Sequence, residues 1–182
     1  GTGWAITEGA HSQPPNSPYF GPGAPKVIGG YDWLGEAWPD QGGILPDANP
    51  IAFRGHGTHV ADIVAGFGYG AGINASEPFT YPAKGAGVAP GAKIWALRVC
   101  AASSGSCNGT SLLLALDDAA DMDDDPETID PVDIVNLSLG SAYGQPEDDV
   151  TALVDELVAY GVIVVASAGN SRDAPYMVGQ PS

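Results

Sequence analysis

Two histidines lie three positions apart in the stretch FRGHGTHVADIVAG, directly before an apolar run with helical spacing. An imidazole at the start of a helix can act as a general base, taking a proton from a nucleophile and returning it to a leaving group. A zinc site would need a third protein ligand and normally uses an i, i+4 pair such as H-E-x-x-H, neither of which HGTH offers. The pattern favours a base at His56, and two histidines without a chemical role stay open as the alternative.

Polar residues also interrupt or follow two apolar runs that read as strands. Asn136 and Ser138 fall within DIVNLSLG, and Ala168, Gly169 and Asn170 follow VIVVAS. In open parallel sheets, sites form beyond the carboxyl ends of the strands. A glycine beside a polar side chain lets another backbone come close while the side chain hydrogen-bonds it. Both ends are therefore candidate binding positions, although each taken alone is also ordinary turn chemistry.

The acidic stretch DDAADMDDDPETID contains an alternating D-x-D-x-D pattern at Asp121, Asp123 and Asp125, with Asp130 and Asp133 further on. Hard oxygen ligands at this density suit Ca²⁺. The spacing lacks the glycine and the final glutamate of an EF-hand loop, so a solvated acidic loop is the alternative. No other cofactor is expected.

Cys100 and Cys107 are separated by a small polar loop, AASSGS, that can bring the two residues within disulfide range. A disulfide favours an oxidising, extracellular compartment. A pair of reduced thiols in a cytosolic protein is the alternative reading.

The sequence pattern of the segments that must position these residues changes near residue 51. Residues 1–50 are rich in Gly, Pro and Asn and predict surface loops around one strand, whereas residues 51–182 alternate helical and strand patterns. Such alternation predicts an α/β fold with a parallel sheet and helices on both faces, within one domain. The predicted strands are KVIGGYDW, KIWALRV, DIVNLSL and VIVVAS, and the predicted helices are residues 56–67, SLLLALDDAA and DDVTALVDELVAY.

Composition limits the partners. The chain has 182 residues with a formal net charge of -16, which would repel phosphate backbones and anionic lipid. No apolar run approaches the ~20 residues of a membrane span, and no initiator Met or basic leader is present. We therefore expect a soluble mature or excised piece, without nucleic-acid or membrane partners.

Four motifs together resemble the subtilisin-like serine proteases: HGTHVADIVAG, GVAPGAKIWALRV, DIVNLSLG and VIVVASAGNS, in the family's order and at about its spacing. The resemblance runs from about Gly21 to the end of the chain. KVIGGYDW followed by GHGTHVADI is most similar to large secreted subtilases that carry an inserted protease-associated domain. The resemblance implies a three-layer subtilisin-like fold, here incomplete, and a peptide-bond-hydrolysing ancestry.

Carried onto these residues, the resemblance makes His56 the general base and turns His59 inward as a structural residue. Asn170 matches the oxyanion-hole asparagine, which donates a hydrogen bond to the developing charge on the scissile carbonyl oxygen. The segment Ser138, Leu139 and Gly140 matches the edge that pairs with substrate backbone. Residues 166–169, with Ala168 and Gly169, would form the wall of the specificity pocket.

Two members of the family's catalytic triad have no counterpart here. No GTSMA-type serine follows Asn170, and the similar GTSLLLA precedes it, where Ser111 is expected to cap a helix. No strand like VAVIDTGID, which carries the family's catalytic aspartate, precedes His56. Gly1-Thr2-Gly3 could be a remnant of that segment with glycine in place of the aspartate, and Asp32 is a weak candidate for the catalytic acid. We therefore expect part of a secreted serine endopeptidase that is inactive by itself. The alternative is a non-catalytic binding or structural protein that retains the peptide cleft. Expected partners are polypeptide substrates, the remaining segments of the protease, or a second copy of the chain.

Overall fold

The computed structural model describes residues 14, 16–40, 42–68, 85–123, 125, 130–144, 148–171, 173 and 178–179. The chain forms two compact units, Gly1–Gly105 and Ser106–Ser182. The first contains β1 (Val27–Asp32), α1 (Gly55–Ala65) and β2 (Ile94–Arg98). The second contains α2 (Gly109–Ala120), β3 (Ile134–Leu137), α3 (Asp149–Ala159) and β4 (Ile163–Ala166).

In the first unit, β1 pairs with β2 in parallel, with Tyr31 opposite Leu97 and Asp32 opposite Arg98. The pairing requires glycine at position 30, where φ is 143° and a Cβ atom would overlap the carbonyl oxygen of Ala96 on β2. The end of α1 is held by a following segment, where the backbone N–H of Val88 donates to the Ile63 carbonyl at 2.9 Å. Most of α1 is exposed, and its buried residue is Ala65.

In the second unit, β3 pairs with β4 in parallel and in register, from Ile134 opposite Ile163 to Leu137 opposite Ala166. Helix α2 packs on α3, and α3 packs on β4. Burial of apolar side chains between these elements is the main favourable contribution to their association. The buried apolar residues of this unit are Ala115, Leu116, Ala119, Leu137, Leu157 and Val162.

Side-chain caps set the starts of both helices in this unit. Asn108 accepts a hydrogen bond from the Ser111 backbone N–H at 3.1 Å, and Asp148 accepts one from Thr151 at 2.8 Å. Each bond satisfies an N–H that has no partner within the helix. The expectation that Ser111 caps α2 is wrong, because Asn108 begins the helix and Ser111 lies fully buried inside it. Gly161 follows α3 with φ 94°, in the left-handed region that favours glycine.

The α/β fold class with parallel strands is confirmed, and every predicted strand and helix is present, within a few residues of its expected bounds. Helix α1 ends at Ala65, two residues before its predicted end, where Gly66 and Gly68 follow, and β3 ends at Leu137, also two residues early. The division of the chain into a loop-rich part and a core at residue 51 remains a prediction. None of the helices described is both long and apolar enough to cross a bilayer.

Candidate functional site

The carboxyl ends of β3 and β4 lie side by side, because the two strands are parallel and directly paired. Their ladder extends one step past β4, where the Ser167 backbone N–H donates to the Leu137 carbonyl at 3.0 Å. The Ser167 hydroxyl then donates to the Leu139 carbonyl at 3.3 Å. These bonds place the segment after β3 against the segment after β4, which is where the sequence patterns predicted a binding position.

A pocket of about 270 Å³ opens between these two segments. Most of the side chains in its described lining are small, and none of the lining residues is charged. Such a surface suits an uncharged chain segment that can exchange hydrogen bonds with backbone groups. The described lining residues are Ser138, Leu139, Gly140, Ser141, Ala142, Ser167, Gly169, Asn170, Ser171 and Gly179.

Six of the predicted site residues meet around this pocket. Ser138, Leu139 and Gly140 line one side, and Ser167, Gly169 and Asn170 line the other. Gly169 has φ 88°, a left-handed conformation that turns the chain out of β4 immediately before Asn170. Ala168, predicted as part of the same wall, lies between lining residues but does not itself line the pocket.

Four lining residues were not singled out from the sequence. Ser141, Ala142 and Ser171 directly follow the two predicted segments. Their position next to predicted residues was the sequence feature that could have identified them. Gly179 has no such signal, because its role depends on a distant approach: a Cβ atom there would overlap the carbonyl oxygen of Ser141. Glycine is therefore required where this part of the chain passes the pocket.

Asn136 contributes a supporting contact on the β3 side. Its Nδ2 donates to the Ser138 hydroxyl oxygen at 3.0 Å. The bond gives the polar residue within the apolar strand a local partner, and it restrains the Ser138 side chain at the pocket edge.

His56 lies at the second position of α1, in the first unit, with its side chain exposed to solvent. A solvent-exposed imidazole at a helix start is accessible for proton transfer. His59 is exposed as well, so the expectation that it faces inward is wrong. The reason is that only the C-terminal end of α1, at Ala65, is buried.

Asp32 is fully buried and its carboxylate is occupied by structural hydrogen bonds. Oδ1 accepts from the backbone N–H groups of Leu34 at 2.9 Å and Gly35 at 3.0 Å, and Oδ2 pairs with the Arg98 guanidinium. Burial raises the pKa of Asp32, and the hydrogen bonds and Arg98 oppose that shift. These contacts give Asp32 a structural role at the end of β1.

Cys100 and Cys107 form a disulfide, as predicted from the loop between them. Ser111, in the motif-like GTSLLLA, is 0% exposed inside α2. A serine nucleophile must be reached by substrate, so this burial is incompatible with catalysis by Ser111 in the folded chain.

Two acidic clusters occur among the described residues. One consists of Asp32, Glu36 and Asp47. Arg98 already supplies positive charge there, since it pairs with both Asp32 and Glu36.

The other cluster consists of Asp121, Asp123 and Asp130, whose potential ligand atoms lie within 4.8 Å of one another. It differs from the predicted set, because Asp130 takes the place expected for Asp125. Asp125 is exposed, and its backbone N–H donates to the Asp123 side chain at 3.2 Å.

Comparison with known proteins is consistent with this geometry. The model of the Subtilase family matches residues 32–182. Subtilisin DY of Bacillus licheniformis is 33% identical over 150 residues, which cover 80% of this chain and 41% of that protein. Subtilisin-like protease SBT4.10 of Arabidopsis thaliana is 31% identical over 156 residues, covering 82% of this chain and 18% of that protein. The CO(2)-response secreted protease of the same plant is 35% identical over 124 residues, covering 64% and 14% respectively. The chain thus spans less than half the length of each of these relatives.

Proposed function

Because this chain belongs to the subtilase family, we propose that it is part of a serine endopeptidase and supplies two elements of the active site. Asn170 supplies the oxyanion-hole amide, and His56 supplies the general base. The nucleophile and the aspartate come from segments of the protease outside these 182 residues. The family's hydrolytic chemistry needs no cofactor.

The pocket at the ends of β3 and β4 is the observation that carries this proposal. It brings Ser138, Leu139 and Gly140 opposite Asn170, within one unit of the structure. Backbone groups of the 138–140 segment can pair with an extended peptide as an added strand, so that main-chain hydrogen bonds supply affinity. The Asn170 amide then donates to the carbonyl oxygen of the bond to be cleaved, where negative charge develops.

Each catalytic role follows from what the side chain can do. His56 removes the proton of a serine hydroxyl as that oxygen attacks the carbonyl carbon, and later protonates the leaving amine. Asn170 stabilises the tetrahedral intermediate that forms between these steps. Loss of such a donor lowers the rate by about 10²–10³-fold, a value that was itself measured in a subtilisin.

Location outside the cell is also proposed. One relative is by its name a secreted protease, and the chain has a disulfide between Cys100 and Cys107. Disulfides persist in oxidising compartments. Export of the natural protein, followed by detection of that disulfide in the exported form, tests this placement, and a solely cytosolic protein contradicts it.

Peptide binding provides the test of the pocket. The purified chain is titrated with a blocked, uncharged, fluorescently labelled hexapeptide, and with the same peptide N-methylated at alternate amides. We expect binding of the first and a loss of at least about tenfold in affinity for the second, which cannot form a full set of backbone hydrogen bonds. Asn170→Ala should weaken binding, while the exposed control Asn16→Ala should not. Equal binding of both peptides would contradict the proposed mode.

The pocket also fits a second function, a binding protein that retains the cleft without turnover. Intact mass and N-terminal sequencing of the natural protein separate the two. A natural protein that carries a further serine motif and reacts with a fluorophosphonate probe supports the endopeptidase. A natural protein that binds the peptide but contains no reactive serine supports the binding function.

A further inference from the structure

The two ends of α1 are held by different parts of the chain. At the C-terminal end, the backbone N–H groups of Val88 and Ala89 donate to the carbonyls of Ile63 and Val64 at 2.9 and 2.7 Å. The first turn, which contains His56, is exposed, and no side-chain hydrogen bond caps this end of the helix. The start of α1 therefore depends for its position on the residues immediately before it.

The residues on both sides of His56 increase this dependence. They are Gly55 and Gly57, and glycine is a poor helix former. A Cβ atom at either position would meet nothing within 4 Å, so close packing does not compensate for the weak local preference. A helix start of this kind opens locally unless a contact from elsewhere in the chain holds it.

Arg54, the N-cap residue of α1, makes such a contact. Its Nη1 donates to the Ser103 carbonyl at 2.8 Å. Its side chain also passes over the backbone of Gly105, where an added Cβ atom would lie 3.1 Å from Nε. Because Arg54 is two residues before His56, the contact fixes the backbone from which the first turn of the helix begins.

The partner of Arg54 is the loop that the disulfide between Cys100 and Cys107 closes. Inside this loop, the Gly105 backbone N–H donates to the Ala101 carbonyl at 3.0 Å. A covalent link between the ends of a loop reduces the number of conformations that the loop can adopt. The disulfide thereby helps to keep the Ser103 carbonyl where the Arg54 guanidinium meets it.

We propose that Arg54 and the disulfide-closed loop position His56, so that the start of α1 loosens when the disulfide is reduced. A dithiol reductant supplies two electrons and two protons: the Sγ–Sγ bond of Cys100 and Cys107 breaks, two thiols form, and the dithiol becomes a disulfide. Arg54 is in this account a positioning residue. Its effect on catalysis rests on the proposed role of His56 as the general base, whereas the coupling of the loop to α1 does not.

Amide hydrogen exchange of the ¹⁵N-labelled chain, followed by NMR with and without dithiothreitol, measures this coupling. In wild type, reduction should speed exchange at Thr58 and His59, in the first turns of α1, by about three- to tenfold, as expected for loss of one hydrogen-bonded contact. The amides of Val64 and Ala65, at the other end of the same helix, are the internal reference. They should change by less than about twofold, because their end is held separately.

Variants of Arg54 show whether the disulfide acts through this side chain. Arg54→Met keeps the aliphatic stem and should speed exchange at Thr58 and His59 by about three- to tenfold in the oxidised protein. Reduction should then add less than about twofold, because two changes that remove the same contact are not additive. Arg54→Lys should restore part of the protection, since its ammonium can still donate to the Ser103 carbonyl.

The matched control for the reductant is the double variant Cys100→Ser/Cys107→Ser. It has no disulfide to reduce, so its exchange rates should be the same with and without dithiothreitol.

Kinetics of the complete protease separate this proposal from the proposed function. Arg54→Met should lower kcat with little change in KM, because His56 acts on the transition state rather than on substrate binding. Exchange coupled to the disulfide together with an unchanged kcat would support the effect of the loop on α1 and refute the role assigned to His56.

Three results would overturn the coupling itself: exchange at Thr58 and His59 that is unaffected by reduction, equal responses to reduction in wild type and Arg54→Met, or a response to dithiothreitol in the double serine variant as large as that of wild type.

Discussion

The backbone N–H of Ser167 donates to the carbonyl of Leu137 at 3.0 Å, one residue beyond the last pair of β3 and β4. This bond carries the parallel pairing into the loops that follow both strands. It consequently fixes how the segment 138–140 approaches Asn170. The candidate site therefore depends on strand register, since a shift of one residue would exchange the faces on which successive side chains lie.

The 182-residue chain alone should hydrolyse no peptide bond. His56 is exposed on α1, Ser111 is buried, and Asp32 is engaged with Arg98 and backbone N–H groups. Incubation with unfolded casein and with a fluorophosphonate probe should give neither cleavage nor labelling. Activity that is present in wild type and absent in Ser111→Ala would identify Ser111 as the nucleophile and contradict this prediction.

Removal of the Arg98 side chain should strongly destabilise the first unit. Arg98→Met leaves the buried Asp32 carboxylate without its ion pair, a change that costs about 3–5 kcal/mol in the free energy of unfolding. Urea unfolding followed by tryptophan fluorescence measures this effect, because all four tryptophans lie within residues 1–105. The control is Arg54→Met, whose exposed guanidinium bonds only the Ser103 carbonyl among the described contacts; it should cost about 1 kcal/mol or less. Equal losses would refute a special role for the buried pair.

The free energy of unfolding of the first unit should fall as pH rises, because Asp47 loses its proton. Asp47→Asn should abolish this part of the pH dependence. Burial raises the pKa of Asp47 above its ordinary value of 3.8, with nearby Glu36 and Asp32 adding to the shift. Just above that value the folded state binds more protons than the unfolded state, so the free energy of unfolding decreases with rising pH. In the Asp47→Asn variant, the side-chain amide oxygen at position 47 can still accept the hydrogen bond that the Asn49 backbone N–H donates.

The measurement is urea unfolding of wild type and Asp47→Asn at pH values from about 4 to 7, the range above the ordinary carboxyl pKa. The two proteins should be closest in stability at the acidic end, and Asp47→Asn should be the more stable at neutral pH. A stability difference that is independent of pH would show that the carboxylate does not titrate differently in the folded state.

The cap of α3 should contribute measurably to the second unit. Asp148→Ala removes the acceptor of the Thr151 backbone N–H and should cost about 1 kcal/mol. Asp149→Ala removes the neighbouring charge without removing the cap, and should cost a few tenths of a kcal/mol through the helix dipole. Unfolding followed by far-UV circular dichroism compares the two, and an equal or larger loss in Asp149→Ala would contradict the assigned cap.

The sequence was most informative where local periodicity and neighbouring residues determine the structure. Alternating apolar patterns predicted β3, α3 and β4, and the residues after the two strands then followed as pocket residues because parallel neighbours end at one edge. The ends of α3 at Asp148 and Gly161 are local features of the same kind, because the roles of both residues depend on adjacent positions.

What the sequence could not predict depends on contacts between distant segments. The pairing of Asp32 with Arg98 and the passage of Gly179 by Ser141 both join residues far apart in the chain. The grouping of Asp130, rather than Asp125, with Asp121 and Asp123 has the same origin, because the chain returns to the end of α2 at Val132. His59 was predicted to face inward but is exposed. The exposure of a helix face depends on which other elements pack against it, and α1 is covered only at its C-terminal end.

The central claim is that the pocket between the 138–140 segment and Asn170 is a peptide-binding cleft. Backbone and side-chain amide NMR shifts of the ¹⁵N-labelled chain, recorded during titration with the blocked uncharged hexapeptide, test it most directly. We predict saturable shifts concentrated at Leu139, Gly140 and the Asn170 side-chain amide, and their loss with the N-methylated peptide. Shifts centred elsewhere, or none at millimolar peptide, would contradict the claim.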